Sequence, residues 1–227
     1  MPRVIKKRVD TKEGREEDLK ETIGDIRERL KEKQRLLIYA LVVFVLITAS
    51  VGGFIVYSRV SLSKAAELEA EAYKVFYGEA GTPPAASADR YKKALQLFKE
   101  SYGQKRTAPV LLYIANCYYE LGNYDDTIRT LKDFQNQFSD PELVPLSYMK
   151  MAMAFLKKNE SDNALTTLKS LYSIKNSALQ DVALMESAKI LESQGKSEEA
   201  RNTYQELVNK FPQSPLAGEV KKKLGEK

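Results

Sequence analysis

The chain has 227 residues and a formal net charge of +5, from 36 Lys and Arg against 31 Asp and Glu, with one cysteine and no histidine or tryptophan. A single cysteine excludes an internal disulfide, and the absence of histidine removes the commonest general base and metal ligand. The charge is nearly balanced, which excludes the strongly basic face of a nucleic-acid-binding domain.

No catalytic or phosphate-binding motif of the GxSxG, HExxH, CxxC or GxGxxG type occurs in the sequence. The paired carboxylates Asp125 and Asp126 lie where a helix is predicted to begin, and there they complement the helix dipole. Cys117 is interpreted as a small packed residue, because a reactive thiol requires exposure and a lowered pKa. We therefore predict a protein that is not an enzyme and that has no cofactor and no metal.

The first predicted element is an amphipathic helix in a polar head, residues 1–35. Its apolar residues Leu19, Ile23, Ile26 and Leu30 follow one another at spacings of four, three and four, which places them on one stripe of a helix. The stripe covers two heptads, fewer than a persuasive coiled coil needs. A short coiled coil that forms a homodimer and a helix lying on the membrane surface both remain open.

The second predicted element is a transmembrane helix at residues 36–58, which are 23 consecutive residues without a charge. A helix of this length spans about 35 Å and crosses a hydrocarbon layer of about 30 Å with modest tilt. A buried core helix rarely needs so long an apolar run, and a cleavable signal peptide has a shorter one much nearer the N-terminus. The sequence therefore predicts a retained, single-pass signal anchor.

The charges beside this segment predict its orientation. Six Lys and Arg lie in the 20 residues before it and three in the 20 residues after it, and cytoplasmic flanks carry the excess. We expect a cytoplasmic N-terminus and an extracytoplasmic domain at residues 59–227, although Arg59 directly follows the span. The inverted orientation would place the C-terminal domain in the cytosol, as in an organelle import receptor. This charge bias argues against it.

The extracytoplasmic part contains an internal repeat, in three segments that begin at Leu111, Tyr148 and Leu184 and align at offsets of 37 and 36 residues. Small residues recur at matching positions, where they allow two antiparallel helices to pack closely. A residue suited to a left-handed turn recurs after each first helix. The small residues are Ala115, Ala152 and Ala188 on the first helices and Ala164 and Ala200 on the second, and the turn residues are Gly122, Asn159 and Gly195.

These spacings resemble the tetratricopeptide repeat (TPR), a helix-turn-helix unit of about 34 residues. The chain departs from the pattern at Thr127, where alanine is typical, at Ser187, and in its longer repeats. The predicted fold class is all-α: a single transmembrane helix, then a TPR-type α-solenoid of about three to four helix pairs and a C-terminal capping helix. The predicted pairs span residues 62–102 with an inserted loop at 78–87, then 108–141, 145–176 and 181–215, and the capping helix spans 216–225.

The first helices of such pairs line the concave face, which predicts a protein-binding groove from repeat position. The nominated lining is mostly apolar and rich in methionine, which is typical of surfaces that adapt to several partners. The same side chains can equally pack against the neighbouring pair. The nominated residues are Leu112, Tyr113, Asn116, Tyr119, Leu146, Met149, Met153, Leu156, Met185, Lys189 and Glu192.

One TPR subtype binds a partner's C-terminal carboxylate through lysine and asparagine at set positions. Asn116 matches that pattern, but Leu112, Val182 and Glu186 stand where basic residues are required. We therefore expect the groove to bind an extended or amphipathic apolar segment and not a C-terminal carboxylate.

A signal anchor followed directly by a short TPR domain resembles the bacterial ancillary SecYEG translocon subunit family. The resemblance is one of architecture, and it implies a bacterial inner-membrane protein with a periplasmic TPR domain. It also implies a protein-interaction adaptor or chaperone-like factor whose partners are the translocon, a chaperone or exported client proteins. The alternative is a structural scaffold of an envelope-assembly or cell-division complex.

Overall fold

The structure, a computed structural model, describes residues 12–78 and 87–225, without the side chains of residues 12–21, 30 and 37. Most of the predicted inserted loop at 78–87 lies outside the described residues. The same holds for the first part of the head and for the side chains of Leu19 and Leu30. Two units are distinguished, Met1–Arg59 and Val60–Lys227.

The described part of the first unit belongs to helix α1, Lys12–Tyr77. The apolar side chains between residues 38 and 58 are exposed, as are Ile23 and Ile26, which are 59% and 53% exposed. The helix is long and apolar enough to cross a membrane by length and composition. Such exposure is unfavourable in water and suits a hydrocarbon environment. It is therefore a candidate membrane span.

The second unit begins with the last turns of α1 and continues as a helical array, and all regular secondary structure in its described residues is helical. Consecutive helices from α2 to α9 pack against one another, and the first helices α3 and α5 of successive pairs also lie side by side. This arrangement confirms the predicted all-α, TPR-type solenoid with a terminal helix. The helices are α2 (Ser87–Gln104), α3 (Ala108–Glu120), α4 (Tyr124–Gln137), α5 (Leu143–Lys157), α6 (Ser161–Tyr172), α7 (Gln180–Ser193), α8 (Ser197–Lys210) and α9 (Pro215–Leu224).

The turns within the three pairs α3/α4, α5/α6 and α7/α8 share one geometry. Gly122, Asn159 and Gly195 have φ angles of 75°, 60° and 75°, as the repeat alignment predicts. The amide of the following residue donates to a carbonyl five residues earlier at 2.9 Å in all three turns, which is the hydrogen bond of a Schellman motif. A repeated local sequence therefore ends each first helix in the same way.

The small residues of the repeats pack where the paired helices approach most closely. Ala115, Ala152, Ala188, Ala164 and Ala200 are all buried, so their short side chains allow the helix backbones to come together. Large apolar side chains fill the space between pairs, among them Leu131, Phe134, Leu168, Leu171 and Leu207.

Thr127 occupies a buried position where the TPR pattern has alanine. Its hydroxyl donates a hydrogen bond of 3.0 Å to the backbone carbonyl of Asn123. This bond satisfies the polar group without a partner from another helix, which removes most of the cost of burying it. The departure from the family pattern is therefore structurally neutral.

The last turns of α1 form an antiparallel pair with α2. The buried hydroxyl of Ser101 donates to the carbonyl of Ala65 at 2.9 Å, and near the other end Lys93 pairs with Glu71 at 3.7 Å. Phe98 stands edge-on to Tyr73 with ring centroids 5.2 Å apart. The segment that follows the candidate span thus acts as the first helix of the first pair.

Replacing Gly195 with alanine should destabilise the protein by about 1 kcal/mol, because the residue is left-handed with φ of 75°. No atom would contact the new Cβ, so the cost lies in the backbone alone. The matched control is Gly218→Ala in the interior of α9, where the Cβ also meets open space. There we expect a gain of about 0.5–1 kcal/mol from helix propensity. Chemical unfolding measures both, and a stabilising Gly195→Ala would contradict the turn assignment.

Candidate protein-binding site

An apolar groove lies between the first helices α3 and α5, with a volume of about 340 Å³. These helices belong to successive pairs, so side chains at equivalent repeat positions form the two walls. One charged residue is present in the lining, and the rest is apolar, aromatic or amide. The lining residues are Pro109, Leu112, Tyr113, Asn116, Leu143, Leu146, Met149, Lys150 and Met153.

Six of the eleven nominated groove residues lie together in the lining of this groove. These residues come from two successive repeats, with α4 between them in sequence. Equivalent repeat positions on α3 and α5 therefore face the same groove. The nominated residues that line the groove are Leu112, Tyr113, Asn116, Leu146, Met149 and Met153.

Leu146 and Met153 are the most conspicuous members of this lining. Their exposures are 48% and 40%, and among the described residues from 87 to 225 they are the only large apolar side chains that are exposed. They lie seven positions apart on α5 and hence on one face of the helix. A cluster of exposed apolar side chains on an otherwise polar domain is typical of an interaction site.

Three other nominated residues lie away from this groove. Tyr119 is half-buried against Tyr124, with ring centroids 5.5 Å apart. Leu156 packs at the edge of a core cluster. Lys189 is exposed and pairs with Glu186 at 2.9 Å. None of the three belongs to the residues that line the groove.

Met185 is a correction to the groove prediction, because it is only 3% exposed. It belongs to a core cluster that includes Ala217 and Val220 of α9, and α9 packs against α7. The terminal helix therefore covers the position in α7 that is equivalent to Met149 in α5. Glu192, also nominated, is exposed and pairs with Lys223 of α9 at 2.8 Å.

Three residues of the lining were not nominated from sequence: Pro109, Leu143 and Lys150. Pro109 and Leu143 lie in the first turns of their helices, outside the aligned repeat segments. The sequence could have indicated Lys150, because it interrupts the apolar run of α5 between Met149 and Met151. A lone cation in such a run is a candidate for recognition as well as for simple solvation.

The tyrosine of the groove is neutral at ordinary pH. Burial and a hydrogen bond with the hydroxyl of Tyr77 raise the pKa of Tyr113 to about 12. Tyr77, at the end of α1, is itself exposed. Tyr113 therefore offers the groove an aromatic surface and a polar hydroxyl but no charge.

Cys117 is a packed core residue with a free thiol. Cys117 is fully buried, and burial, together with the charge of Glu120, raises its pKa to about 12. A thiol in this state is a poor nucleophile. Across residues 12–78 and 87–225, no group of at least three His, Cys, Asp or Glu residues is arranged to hold a metal ion.

The fold and the groove define an α-solenoid of the TPR class, a kind of domain that generally mediates protein–protein interactions. Residues 30–226 match the tetratricopeptide repeat-like domain family. The chain belongs to that family.

Comparison with solved structures gives relatives of the same fold at low sequence identity. One is a protein described as a kinesin light chain with nearly identical TPR-like repeats from Podosopora anserina, with 13% identity, a TM-score of 0.52 and coverage of 72% of this chain and 84% of that chain. Another is the apo form of RapI, with 14% identity, a TM-score of 0.50 and coverage of 72% and 46%. No curated protein matches the chain significantly.

Proposed function

We propose that this protein is a membrane-anchored TPR adaptor or chaperone-like factor that acts on exported or envelope proteins near the translocon. The observation that carries the proposal is the apolar groove between α3 and α5, with Leu146 and Met153 exposed on it. An apolar groove on a repeat domain favours an apolar segment of another protein as ligand. Segments of this kind are exposed in proteins that have not yet folded.

The candidate span in α1 supports anchoring in a membrane. The excess of Lys and Arg before residues 36–58 favours a cytoplasmic N-terminus. In this orientation the protein is anchored in the bacterial inner membrane, and its TPR domain lies in the periplasm. The resemblance to the ancillary SecYEG translocon subunit family is the reason for placing it near the translocon.

A scaffold for an envelope-assembly or cell-division complex is the second candidate function. The exposed side chains of Ile23 and Ile26, 59% and 53%, favour it, because they leave an apolar stripe on the head for self-association. Deleting residues 1–35 separates the two functions. Loss of a dimer together with loss of function supports the scaffold, and retained contact with clients supports the adaptor.

The location of the TPR domain is tested by protease accessibility combined with proximity labelling in one preparation. We expect a protease added outside spheroplasts to digest the TPR domain and to leave an epitope at the N-terminus intact. A labelling enzyme fused to the C-terminus should mark translocon components or exported proteins. Digestion of the N-terminal epitope, with the TPR domain protected, would reverse the proposed orientation.

A further inference from the structure

Lys150 is the single charged residue of the groove lining. Its ammonium group lies 4.5 Å from the centre of the Tyr119 ring. No ion pair to Lys150 occurs in the part of the chain that the structure describes. Lys158, which directly follows α5, is different. Its ammonium contacts Asp125 at 2.7 Å and Glu160 at 2.6 Å.

The environment of Lys150 disfavours its charge. Burial lowers the pKa of Lys150, although the charge of the Glu120 carboxylate acts in the opposite direction. Lys158, Lys189, Lys210 and Lys223 all have a raised pKa, because each donates to a nearby carboxylate. The contact with Tyr119 compensates only in part for the water that the ammonium has lost. A carboxylate supplied by a ligand would stabilise this partly desolvated ammonium group more than one that already has an ion pair.

Asn116 provides a second polar group on the opposite wall of the groove. Its side-chain amide makes no hydrogen bond within residues 12–78 and 87–225. An amide that is free to donate and accept can bind the backbone of an extended peptide. The groove thus combines an apolar floor, one unpaired cation and one free amide.

We propose that the occupant of the groove is an apolar segment of a partner protein that carries an aspartate or glutamate side chain, and that this carboxylate pairs with Lys150. The inference rests on the proposed function, because it specifies the chemistry of the segment bound there. The apolar side chains of the ligand contact Leu146, Met149 and Met153. The carboxylate then selects, among apolar segments, those with an acidic residue in the matching position.

The test uses the full chain in lipid nanodiscs and three fluorescent peptides with the same apolar core. The peptides differ at one position, which is Glu, Gln or Lys, and empty nanodiscs correct for binding to lipid. Affinity is measured by fluorescence anisotropy for the unsubstituted chain, for Lys150→Met and for Lys157→Met. Lys157 is the matched control, because it lies on the same helix and is exposed.

We expect the unsubstituted chain to bind the Glu peptide about tenfold more tightly than the Gln peptide, and the Lys peptide more weakly than either. Lys150→Met should remove this preference without lowering thermal stability, whereas Lys157→Met and the charge-conserving Lys150→Arg should retain it. The preference should also decrease at high salt.

The possible failures separate this inference from the proposed function. Equal binding of the Glu and Gln peptides, or a preference that survives in Lys150→Met, overturns the pairing with Lys150 and leaves an apolar groove that binds protein segments. If none of the three peptides binds, the inference and the role of the groove are both rejected.

Discussion

Replacing Leu146 and Met153 together with glutamate should weaken binding of an apolar peptide about a hundredfold or more. Burying one such side chain in an interface contributes about 1.5–3 kcal/mol, and each factor of ten in affinity corresponds to about 1.4 kcal/mol. Each side chain is partly exposed in the unbound chain, at 48% and 40%. The free energy of unfolding should therefore fall by only about 1 kcal/mol.

The control for this double substitution introduces two glutamates elsewhere on the solenoid. Thr166 and Ser170 are exposed on α6, a second helix that does not line the groove. Thr166→Glu with Ser170→Glu should leave peptide affinity unchanged within about twofold, as is usual for surface substitutions away from a site. Unchanged affinity of the Leu146 and Met153 variant in anisotropy measurements would show that the peptide binds outside the groove.

Phe98→Ala should have the largest effect on stability, a loss of about 3–5 kcal/mol. The ring is fully buried and contacts Tyr73 of α1 and Tyr113 of α3, with centroids 5.2 Å away in both cases. Its removal leaves a cavity where three helices meet and weakens the packing of the end of α1 against α2 and α3. Urea unfolding of the full chain in detergent, followed by circular dichroism, measures the loss.

Phe98→Leu is the matched variant, because it keeps most of the apolar volume. Its cost should be about 1.5 kcal/mol or less. If Phe98→Ala costs no more than Phe98→Leu, then the last turns of α1 do not form part of the TPR core. In that case the first helix pair described above would not exist as a stable unit.

The repeated part of the fold was predictable from sequence for a definite physical reason. Gly122, Asn159 and Gly195 recur where a helix must end in a left-handed residue, and the structure gives all three a positive φ. The buried alanines recur where paired helices touch. Both constraints are local and repeat in each pair, so they are visible in the alignment of three segments.

The error at Met185 has an equally definite cause. The alignment treats Met149 and Met185 as equivalent, and it contains no information about which helix covers each position. Met149 lines the groove, whereas Met185 packs with Ala217 and Val220 of α9. The capping helix was predicted, but its contact with α7 depends on tertiary arrangement that spacing does not encode.

Lys150 shows the other limit of sequence analysis. Its position within an apolar run was visible, but the absence of a carboxylate partner is a property of the folded chain. Asp125 and Glu160, for example, both pair with Lys158. Charge pairing between helices depends on rotamers and distances, so it could not be read from composition.

The central claim is that the groove between α3 and α5 binds segments of partner proteins, and photo-crosslinking in living cells tests it most directly. A photoreactive amino acid is placed at Met149 or Met153 in the groove, and at Thr166 on α6 as the control. The account predicts discrete adducts with other proteins from Met149 and Met153, none of them from Thr166, and their loss when Leu146 is replaced with glutamate. Capture of nothing but neighbouring residues of the same chain at Met149 and Met153, or the same adducts from all three positions, would contradict it.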